Sequence, residues 1–509
     1  MESDNVMKTY FRAHSFLAAV VLALFASIAL ADGRKPNFII VLVDDLGYAD
    51  IEPFGSKANR TPNLTRLAAE GMCFTDFYVS AGVCSPSRAS LMTGCYPLRV
   101  DLHESSRGVF VLCPMDQKGI NPSEITLAET LKSKGYATAC IGKWHLGDQD
   151  VFFPTRHGFD FHYGIPYSND GGRKPKTPPG DRTPPLPLMR NETVIEAPAK
   201  QETLTKRYTQ EAVNFIRRHK DSPFFLYLPH TAVHTPLRGG DEFFGESANG
   251  LYGDGVEEVD WSTGELLNTV RELGLERDTI VIFTSDNGAT SAGSNAPFAG
   301  GKAQILEGGM RVPCIMWGPG RIPAGTKCDK VATAMDFLPT FARMAGTQEP
   351  QDRKIDGRDI GSLMRGEPGA ESPHEAFYYY FMSQLQAVRS GKWKLHLALD
   401  PKLVTWTGRP TGTAKAQLYD LSADPGELTN VIAEHPDVVR RLTELADRAR
   451  KDIGDYQVKG AGARPTIRVA EPKPLSVPES ARLPFPEPPS ERTERVSAVF
   501  PGKRPQRRE

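Results

Sequence analysis

Three residues at fixed spacing, Cys84, Pro86 and Arg88, combine a thiol, a helix-starting residue and a fixed cation. Proline is favoured in the first turn of a helix, so we predict a helix that begins at about Pro86, with Cys84 just before it. The free main-chain N–H groups at a helix N-terminus attract anions, and a guanidinium one turn later matches a tetrahedral oxyanion. The pattern therefore predicts a cysteine at an anion site.

Two other interpretations of Cys84 are open at this point. Most cysteines are buried packing residues or disulfide partners. A cysteine at a helix N-terminus can also be a thiolate nucleophile with a lowered pKa. The C-x-P-x-R pattern fixes only three positions, so the rest of the chain must decide between these interpretations.

Oxygen-bearing side chains follow two apolar segments of the chain. Residues 38–43 and 279–284 are rich in β-branched and aromatic residues, which predicts buried strands of a sheet covered on both faces. Ligand sites in open α/β sheets lie at the carboxyl ends of strands, and adjacent carboxylates repel each other unless a cation joins them. Three carboxylates and one amide suit Ca²⁺, or alternatively Mg²⁺, better than zinc. The predicted metal ligands are Asp44, Asp45, Asp286 and Asn287.

Basic residues lie at similar places in the chain. Lys143 and His145 follow the apolar segment 137–141, and His234 follows another one, residues 224–228. Together with a divalent cation, such groups would neutralise a tetrahedral anion and the charge that develops on a leaving oxygen. This combination predicts hydrolytic transfer of a sulfuryl or phosphoryl group. The predicted catalytic residues are Cys84, Arg88, Lys143, His145, His234 and Lys302.

The alternation of strands and helices predicts the fold class. Residues 32–366 are predicted to form an α/β catalytic domain with a large, mostly parallel mixed sheet flanked by helices. Short antiparallel strands and one helix predict a smaller α+β subdomain over residues 367–458. The proline- and arginine-rich residues 459–509 predict an extended or disordered tail. Residues 170–200 predict an inserted loop at the rim of the pocket.

The N-terminal residues 1–31 have the features of a secretory signal peptide: two basic residues, an apolar run and a small-x-small cleavage site. We therefore expect export to a periplasmic, secreted or lysosome-like compartment, with no membrane span in the mature chain. An uncleaved N-terminal anchor is the alternative. The seven cysteines leave at least one thiol without a disulfide partner. A formal net charge of −1 gives no reason to expect nucleic acid as a partner.

Six motifs occur in the order found in the type I, formylglycine-dependent sulfatases of the alkaline phosphatase superfamily. The chain resembles this family from about residue 36 to residue 430. Within the family it resembles arylsulfatase A and N-acetylgalactosamine-6-sulfatase, and residues 293–311 are similar to the latter. The six motifs lie at residues 41–45, 84–88, 142–145, 234–236, 285–288 and 419–425.

The resemblance implies an alkaline phosphatase-like fold and a sulfuric ester hydrolase that acts on a sulfated carbohydrate or an aryl sulfate. It also implies that a formylglycine-generating or equivalent maturation enzyme oxidises Cys84 to Cα-formylglycine. One hydroxyl of the hydrated aldehyde would attack sulfur, and the other would expel sulfate as the aldehyde re-forms. The identity of the leaving group is open at this point.

The resemblance also implies a role for each residue of the site. The hydrate at position 84 would join the four predicted oxygen ligands around a Ca²⁺ ion. Arg88 and Lys143 would hold this hydrate, and His145 would be the base for its second hydroxyl. Sulfate binding is implied for Lys143, Ser168, His234 and Lys302. The last two would also assist departure of the leaving alcohol.

Two rival functions fit part of the pattern. A phosphomonoesterase or phosphodiesterase of the same superfamily usually has a serine or threonine nucleophile and a histidine-rich site for two zinc ions. This chain instead has Cys84 and one set of hard oxygen ligands. A non-catalytic binder of sulfated glycans would use the basic pocket without turnover, and the intact nucleophile loop and both acid–base histidines argue against it.

Overall fold

The computed structural model describes residues 35–172, 183–400, 402–404, 408 and 410–476. The predicted signal peptide, the middle of the 170–200 insertion and most of the predicted tail lie outside the described residues. None of the helices in this part of the chain combines the length and the apolar composition that a bilayer crossing needs.

The central strand of the largest sheet in the described chain, β1 (Asn37–Val43), is buried along its whole length. Alternate side chains of a strand point to opposite faces, so Phe38 and Ile40 pack into one hydrophobic cluster and Ile39 and Val41 into another. The strands of the described chain are β1 (Asn37–Val43), β2 (Met72–Phe74), β3 (Phe77–Tyr78), β4 (Ala137–Lys143), β5 (Phe161–Ile165), β6 (Leu188–Arg190), β7 (Thr193–Glu196), β8 (Phe224–Pro229), β9 (Thr279–Ser285), β10 (Cys314–Trp317), β11 (Thr326–Cys328), β12 (Ala332–Thr333), β13 (Phe377–Phe381), β14 (Gln384–Ser390), β15 (Trp393–His396), β16 (Gln417–Asp420), β17 (Gly454–Asp455) and β18 (Val458–Lys459).

Helices cover both faces of the central sheet. The helices of the described chain are α1 (Pro62–Glu70), α2 (Cys84–Thr93), α3 (Leu127–Lys132), α4 (Leu204–Arg218), α5 (Gly250–Glu272), α6 (Glu307–Met310), α7 (Phe337–Met344), α8 (Gly361–Met364) and α9 (Pro436–Asp452). Apolar residues of α1, α4 and α5 belong to the cluster on one face, and those of α2, α3 and α7 to the cluster on the other. This double cover explains why the central strands are continuous apolar runs.

The central sheet has ten strands in the order β11-β2-β10-β9-β1-β8-β4-β5-β6-β7. The five strands from β9 to β5 are parallel, whereas β10 and β6 join them antiparallel. The register pairs Val43 with Ser285 and Leu42 with Pro229, so the carboxyl ends of β1, β9 and β8 lie at one edge. The predicted α/β class with a mostly parallel mixed sheet is confirmed.

A separate antiparallel sheet, β13-β14-β15-β16, follows the catalytic domain. The amphipathic helix α9 buries Val438, Leu442 and Leu445 in the hydrophobic cluster that this sheet shares with the catalytic domain. We call these four strands the C-terminal sheet. The predicted smaller antiparallel subdomain is confirmed as a feature of the fold.

The described residues 460–476 form a C-terminal strap that runs back across the catalytic domain. The main-chain N–H of Val469 donates to Gln117 at 2.9 Å, and the hydroxyl of Thr466 donates to the carbonyl oxygen of Gly119 at 2.6 Å. Arg464 forms an ion pair with Glu124 at 2.7 Å. This part of the predicted tail therefore has an extended path with fixed partners.

Candidate active site

The four predicted oxygen ligands meet at the carboxyl ends of β1 and β9. Asp44, Asp45, Asp286 and Asn287 are at most 3 % exposed. The main-chain N–H of Asp45 donates to Asp286 Oδ1 at 3.2 Å, which joins the two strand ends. Asp45 has a φ of 64°, a left-handed conformation that turns the chain directly after β1.

The amide of Asn287 is only partly used by the protein. Its Nδ2 donates to Asp45 Oδ1 at 2.7 Å and to the carbonyl oxygen of Gly288 at 3.0 Å. Its Oδ1 is buried and has no hydrogen-bond partner among the described residues. A buried acceptor without a partner is costly, and a hard cation would satisfy it together with the carboxylates. The donor set therefore fits Ca²⁺ or Mg²⁺.

Cys84 is the first residue of α2, so the prediction that it precedes a helix beginning at about Pro86 is wrong by two residues. Proline is tolerated anywhere in the first turn because its missing N–H would have no partner there. Cys84 is 2 % exposed and is a free thiol whose Sγ lies 3.5 Å from Asp44 Oδ1. Burial and then Asp44 raise the pKa of this thiol. Cys84 therefore forms no disulfide in this structure, and the raised pKa argues against the activated-thiolate interpretation.

Each carboxylate of the site has a buried cation beside it. Arg88 contacts Asp286 Oδ2 through Nε at 3.0 Å and Nη2 at 2.8 Å, and the same Nη2 lies 3.2 Å from Asp44 Oδ2. Lys143 forms an ion pair with Asp44, and Lys302 Nζ lies 2.7 Å from Asp45 Oδ1. Burial alone would raise the pKa of Asp44, but Lys143, His234 and Arg88 hold it well below its ordinary value.

The two histidines of the site differ in how their rings are held. His145 Nε2 lies 3.0 Å from the carbonyl oxygen of Leu112, so Nε2 carries the proton and the buried Nδ1 has no partner among the described residues. Burial, Lys143 and Arg88 lower the pKa of His145, which keeps the ring neutral. His234 Nε2 lies 3.7 Å from Asp45 Oδ2, and burial lowers its pKa as well.

Asp44, Asp45, Cys84 and His234 form a compact group of candidate ligand atoms, all within 4.8 Å of one another. Sequence reasoning placed His234 with the sulfate-binding residues rather than with the metal ligands. Ser168 also lies in the site, with its Oγ 3.3 Å from Lys143 Nζ. The structure thus brings every predicted site residue together.

Three residues of the site were not predicted as site residues from the sequence: Leu112, Ser85 and Asp170. Leu112 accepts from His145 through its carbonyl, and its main-chain N–H donates to Ser85 Oγ at 3.0 Å. Asp170 is the third: it is an exposed residue, and although partial desolvation would raise its pKa, His234 and the hydroxyl of Ser168 lower it. Main-chain contacts leave no residue-type signal, but the spacing of Asp170 two residues after Ser168 could have indicated it.

The arrangement can bind a tetrahedral oxyanion and stabilise the charge that develops when one of its ester bonds breaks. Cations, a neutral histidine base and hard oxygen ligands surround residue 84 in a space from which water is largely excluded. The sequence profile of the family described as Sulfatase matches residues 36–347.

The chain belongs to the sulfatase family.

A second profile, described as N-sulphoglucosamine sulphohydrolase, C-terminal, matches residues 301–452 of this sulfatase. It is 36 % identical to the N-acetylgalactosamine-6-sulfatase of Rattus norvegicus, with 87 % of this chain and 91 % of the relative covered. It is also 36 % identical to the arylsulfatase A of Homo sapiens, with 84 % and 90 % covered.

A solved structure, the PsFucS1 sulfatase from Pseudoalteromonas sp., superposes with a TM-score of 0.73 at 26 % identity over 85 % of this chain and 93 % of that one. The protein is therefore a sulfatase enzyme, and its reaction is the hydrolysis of a sulfate ester.

Proposed function

We propose that this sulfatase hydrolyses the sulfate monoester of a carbohydrate or an aryl alcohol, with a formylglycine derived from Cys84 as its nucleophile and Ca²⁺ as its metal. The proposal is carried by one observation: the Cys84 thiol faces the buried oxygen ligands. A hard cation prefers oxygen to sulfur, and burial raises the pKa of the thiol. An oxygen function at position 84 suits this site better than a thiol does.

Asp44, Asp45, Asp286 and Asn287 would hold the metal. The free Oδ1 of Asn287 and the three converging carboxylates support this assignment, in which the oxygen donors suit Ca²⁺, with Mg²⁺ as the alternative. A bound divalent cation supplies positive charge that polarises the sulfate and favours an ionised hydroxyl at position 84.

The protein's own side chains orient the hydroxyls at position 84. Arg88 is fixed by Asp286 and by the carbonyl oxygen of Lys143, at 2.7 Å, so its charge stays in place during turnover. The ammonium of Lys143 pairs with Asp44 Oδ2, the same oxygen that Arg88 Nη2 contacts. His145 Nδ1 is the free acceptor that takes the proton of the second hydroxyl, since Nε2 is occupied by Leu112.

Sulfate recognition and departure of the alcohol fall to the ammonium, hydroxyl and imidazole groups of the site. Lys302 and Lys143 offer ammonium groups to the sulfate oxygens, and Ser168 offers a hydroxyl beside Lys143. His234 Nδ1 donates to the carbonyl oxygen of Thr235 at 2.6 Å, so His234 Nε2, which lies 3.7 Å from Asp45 Oδ2, would donate to the leaving oxygen only from the protonated ring. The named relatives support carbohydrate and aryl leaving groups, and the 170–200 insertion is the segment that we propose to select between them.

Maturation and location complete the proposal. A formylglycine-generating or equivalent enzyme would oxidise Cys84. The N-terminal residues predict export to a periplasmic, secreted or lysosome-like compartment. The substrate is a sulfated small molecule or glycan.

The test combines mass spectrometry with a turnover assay. Native protein is digested, and the peptide that contains residue 84 is weighed while hydrolysis of 4-nitrocatechol sulfate is measured. We expect formylglycine in the active fraction, with activity proportional to the modified share. Unmodified cysteine together with full turnover would overturn the nucleophile, and a modified protein without turnover on any sulfate ester would overturn the reaction.

A second measurement addresses the leaving group. The modified protein is assayed with 4-nitrocatechol sulfate, a 6-sulfated galactosamine and the matching phosphate esters. We expect sulfate esters to be preferred, because the three carboxylates offset the charges of Arg88, Lys143 and Lys302, which leaves one divalent metal to balance the lower charge of a sulfate monoester. Preference for the phosphate esters would support the phosphomonoesterase alternative instead.

A further inference from the structure

A second cluster of buried charge, outside the active site, joins the catalytic domain to the C-terminal sheet. We call it the interface cluster, and its centre is Glu307, Lys394 and Glu427. Lys394 Nζ lies 3.0 Å from Glu307 Oε1, 2.9 Å from Glu427 Oε1 and 2.8 Å from the carbonyl oxygen of Ile305. An ammonium has three donors, so every N–H of this fully buried lysine has an acceptor.

The two carboxylates of the interface cluster have further partners. Glu307 accepts hydrogen bonds from the hydroxyl of Tyr379, at 2.8 Å, and from that of Tyr78. Glu427 accepts from the ring of His396 at 2.6 Å and from the main-chain N–H of Glu307 at 2.7 Å. Buried ion pairs add little net stability relative to apolar side chains of similar volume. What this network does provide is a defined position for the backbone that it binds.

Lys302 lies in the backbone segment that the interface cluster binds. The main-chain N–H groups of Lys302 and Ala303 donate to carbonyl oxygens of the catalytic domain at 3.0 and 2.7 Å. Three residues later, the carbonyl oxygen of Ile305 and the N–H of Glu307 bind the C-terminal sheet and its following loop. The segment 302–306 is neither helix nor strand, and these bonds at its two ends hold it together with the burial of Ala303 and Ile305 in the hydrophobic cluster.

We propose that Lys394 is a positioning residue for Lys302, through which the C-terminal sheet determines the geometry of the sulfate site. Lys394 never touches the substrate: it fixes Ile305 and Glu307, and these fix the loop from which Lys302 reaches Asp45. The inference rests on the sulfate-binding role proposed for Lys302. It goes further in assigning to a residue of the second sheet an effect on catalysis.

The test is a double-mutant cycle in the full, formylglycine-containing protein. Lys394→Met removes the charge and keeps the side-chain length, while Lys302→Ala removes the positioned group. We expect Lys394→Met to lower kcat/KM for 4-nitrocatechol sulfate by about tenfold or more, since misplacing a catalytic group by 1 Å costs up to about a hundredfold. We expect little further loss when Lys394→Met is added to Lys302→Ala, because the group that it positions is already absent.

Two controls separate positioning from general damage. Lys392→Met alters an exposed lysine directly before the same strand, paired with Asp420, and we expect wild-type kinetics. The mass of the peptide that contains residue 84 is measured in every variant, so that the kinetics can be corrected for incomplete conversion of Cys84 to formylglycine. If Lys394→Met does not fold, Tyr379→Phe removes one hydrogen bond to Glu307 and replaces it in the cycle, with a smaller loss expected that also disappears in Lys302→Ala.

The outcomes are distinct. Unchanged kinetics in a folded Lys394→Met variant would overturn the positioning role. So would a double variant whose loss of kcat/KM equals the product of the two single losses. Either result would leave the sulfatase mechanism intact. Unchanged kinetics in Lys302→Ala would overturn the proposed role of Lys302 and this inference with it.

Discussion

The active site and the interface cluster are both buried assemblies of carboxylates and cations, but they differ in how completely their polar atoms are partnered. In the active site, Asn287 Oδ1 and His145 Nδ1 have no partner within the described residues. In the interface cluster, Glu307, Lys394 and Glu427 have no buried side-chain atom without a partner in the same part of the chain. Complete pairing fixes a backbone, whereas incomplete pairing leaves places for a metal and a proton.

The largest effect is expected from Cys84→Ser, which changes the nucleophile and leaves both clusters in place. A serine would have one hydroxyl and could not expel sulfate by re-forming an aldehyde, so we expect steady-state turnover to fall by at least about 10³-fold. Rapid-mixing kinetics should show one product per enzyme at most. Full multiple turnover by this variant would contradict the formylglycine mechanism.

Asn287→Ala tests whether the unpartnered oxygen is a metal ligand. Loss of an outer-shell partner at a metal site lowers the metal affinity by about 10–100-fold. Loss of a direct ligand should cost more, so we expect the calcium affinity to fall by at least this factor. The measurement is calorimetric titration of chelator-treated protein with CaCl₂, alongside recovery of activity. Asn59→Ala is the matched control, since that amide is buried but donates to the carbonyl oxygen of Asp50 at 2.8 Å. Equal calcium affinity in both variants would exclude Asn287 as a ligand.

Glu307→Gln tests the fully partnered cluster. Removing one charge leaves Lys394 with Glu427 as its remaining carboxylate partner, so we expect a loss of unfolding free energy at the lower end of the about 3–5 kcal/mol that breaking a buried pair costs. Urea denaturation of the calcium-free protein measures the loss. Asp286→Asn provides the comparison: it also removes a buried carboxylate charge, but it relieves repulsion from Asp44, so we expect a smaller loss. A larger loss from Asp286→Asn would refute the distinction drawn between the clusters.

The stability lost in Glu307→Gln should also depend on pH. Burial would raise the pKa of Glu307, but Lys394 and Arg389 lower it from 4.5 to about 2. A carboxyl whose pKa is lower in the folded state stabilises the protein above its unfolded pKa and loses that contribution as the pH falls. The difference in stability between the parent and Glu307→Gln should therefore shrink between pH 4.5 and 2. A difference that stays constant over this range would contradict the assigned ion pairs.

The smallest effect, and one of opposite sign, is expected at Glu258 on α5. This buried carboxyl accepts from the main-chain N–H of Gly240 at 2.9 Å, and burial raises its pKa from 4.5 to about 7. Such a group lowers stability as the pH rises from 4.5 to 7, so Glu258→Gln should stabilise the protein by at most about 3 kcal/mol at pH 8 and by almost nothing at pH 4. Thermal unfolding at both pH values measures this, with Glu257→Gln, which breaks an ion pair with Arg60, as the control.

The sequence predicted the sheet and the site because both depend on local patterns. The apolar run before Asp44 and Asp45 indicates a buried parallel strand, and parallel strands bring their carboxyl ends to one edge. The start of α2 was misplaced by two residues because proline is equally acceptable at several positions of a first turn. The sequence-based prediction is therefore strongest for element type and weakest for element ends.

The interface cluster could not be predicted, and the reason is physical. Lys394 lies in a short strand whose pattern does not distinguish a buried lysine from an exposed one such as Lys392. Its partners Glu307 and Glu427 are distant in sequence, and only the packing of the two sheets brings them together. The unpartnered atoms of Asn287 and His145 are likewise properties of geometry, although the residues themselves were predicted from their motifs.

The C-terminal strap can bind its partners only late in the synthesis of the chain. The carbonyl oxygen of Pro465 accepts from Asn121, which lies 344 residues earlier in the chain. At about 5–20 residues synthesised per second, roughly 17–70 s separate the two partners. The surface around Gln117 and Gly119 therefore stays uncovered while nearly the whole enzyme is synthesised. We expect a nascent chain that ends before residue 460 to expose this surface.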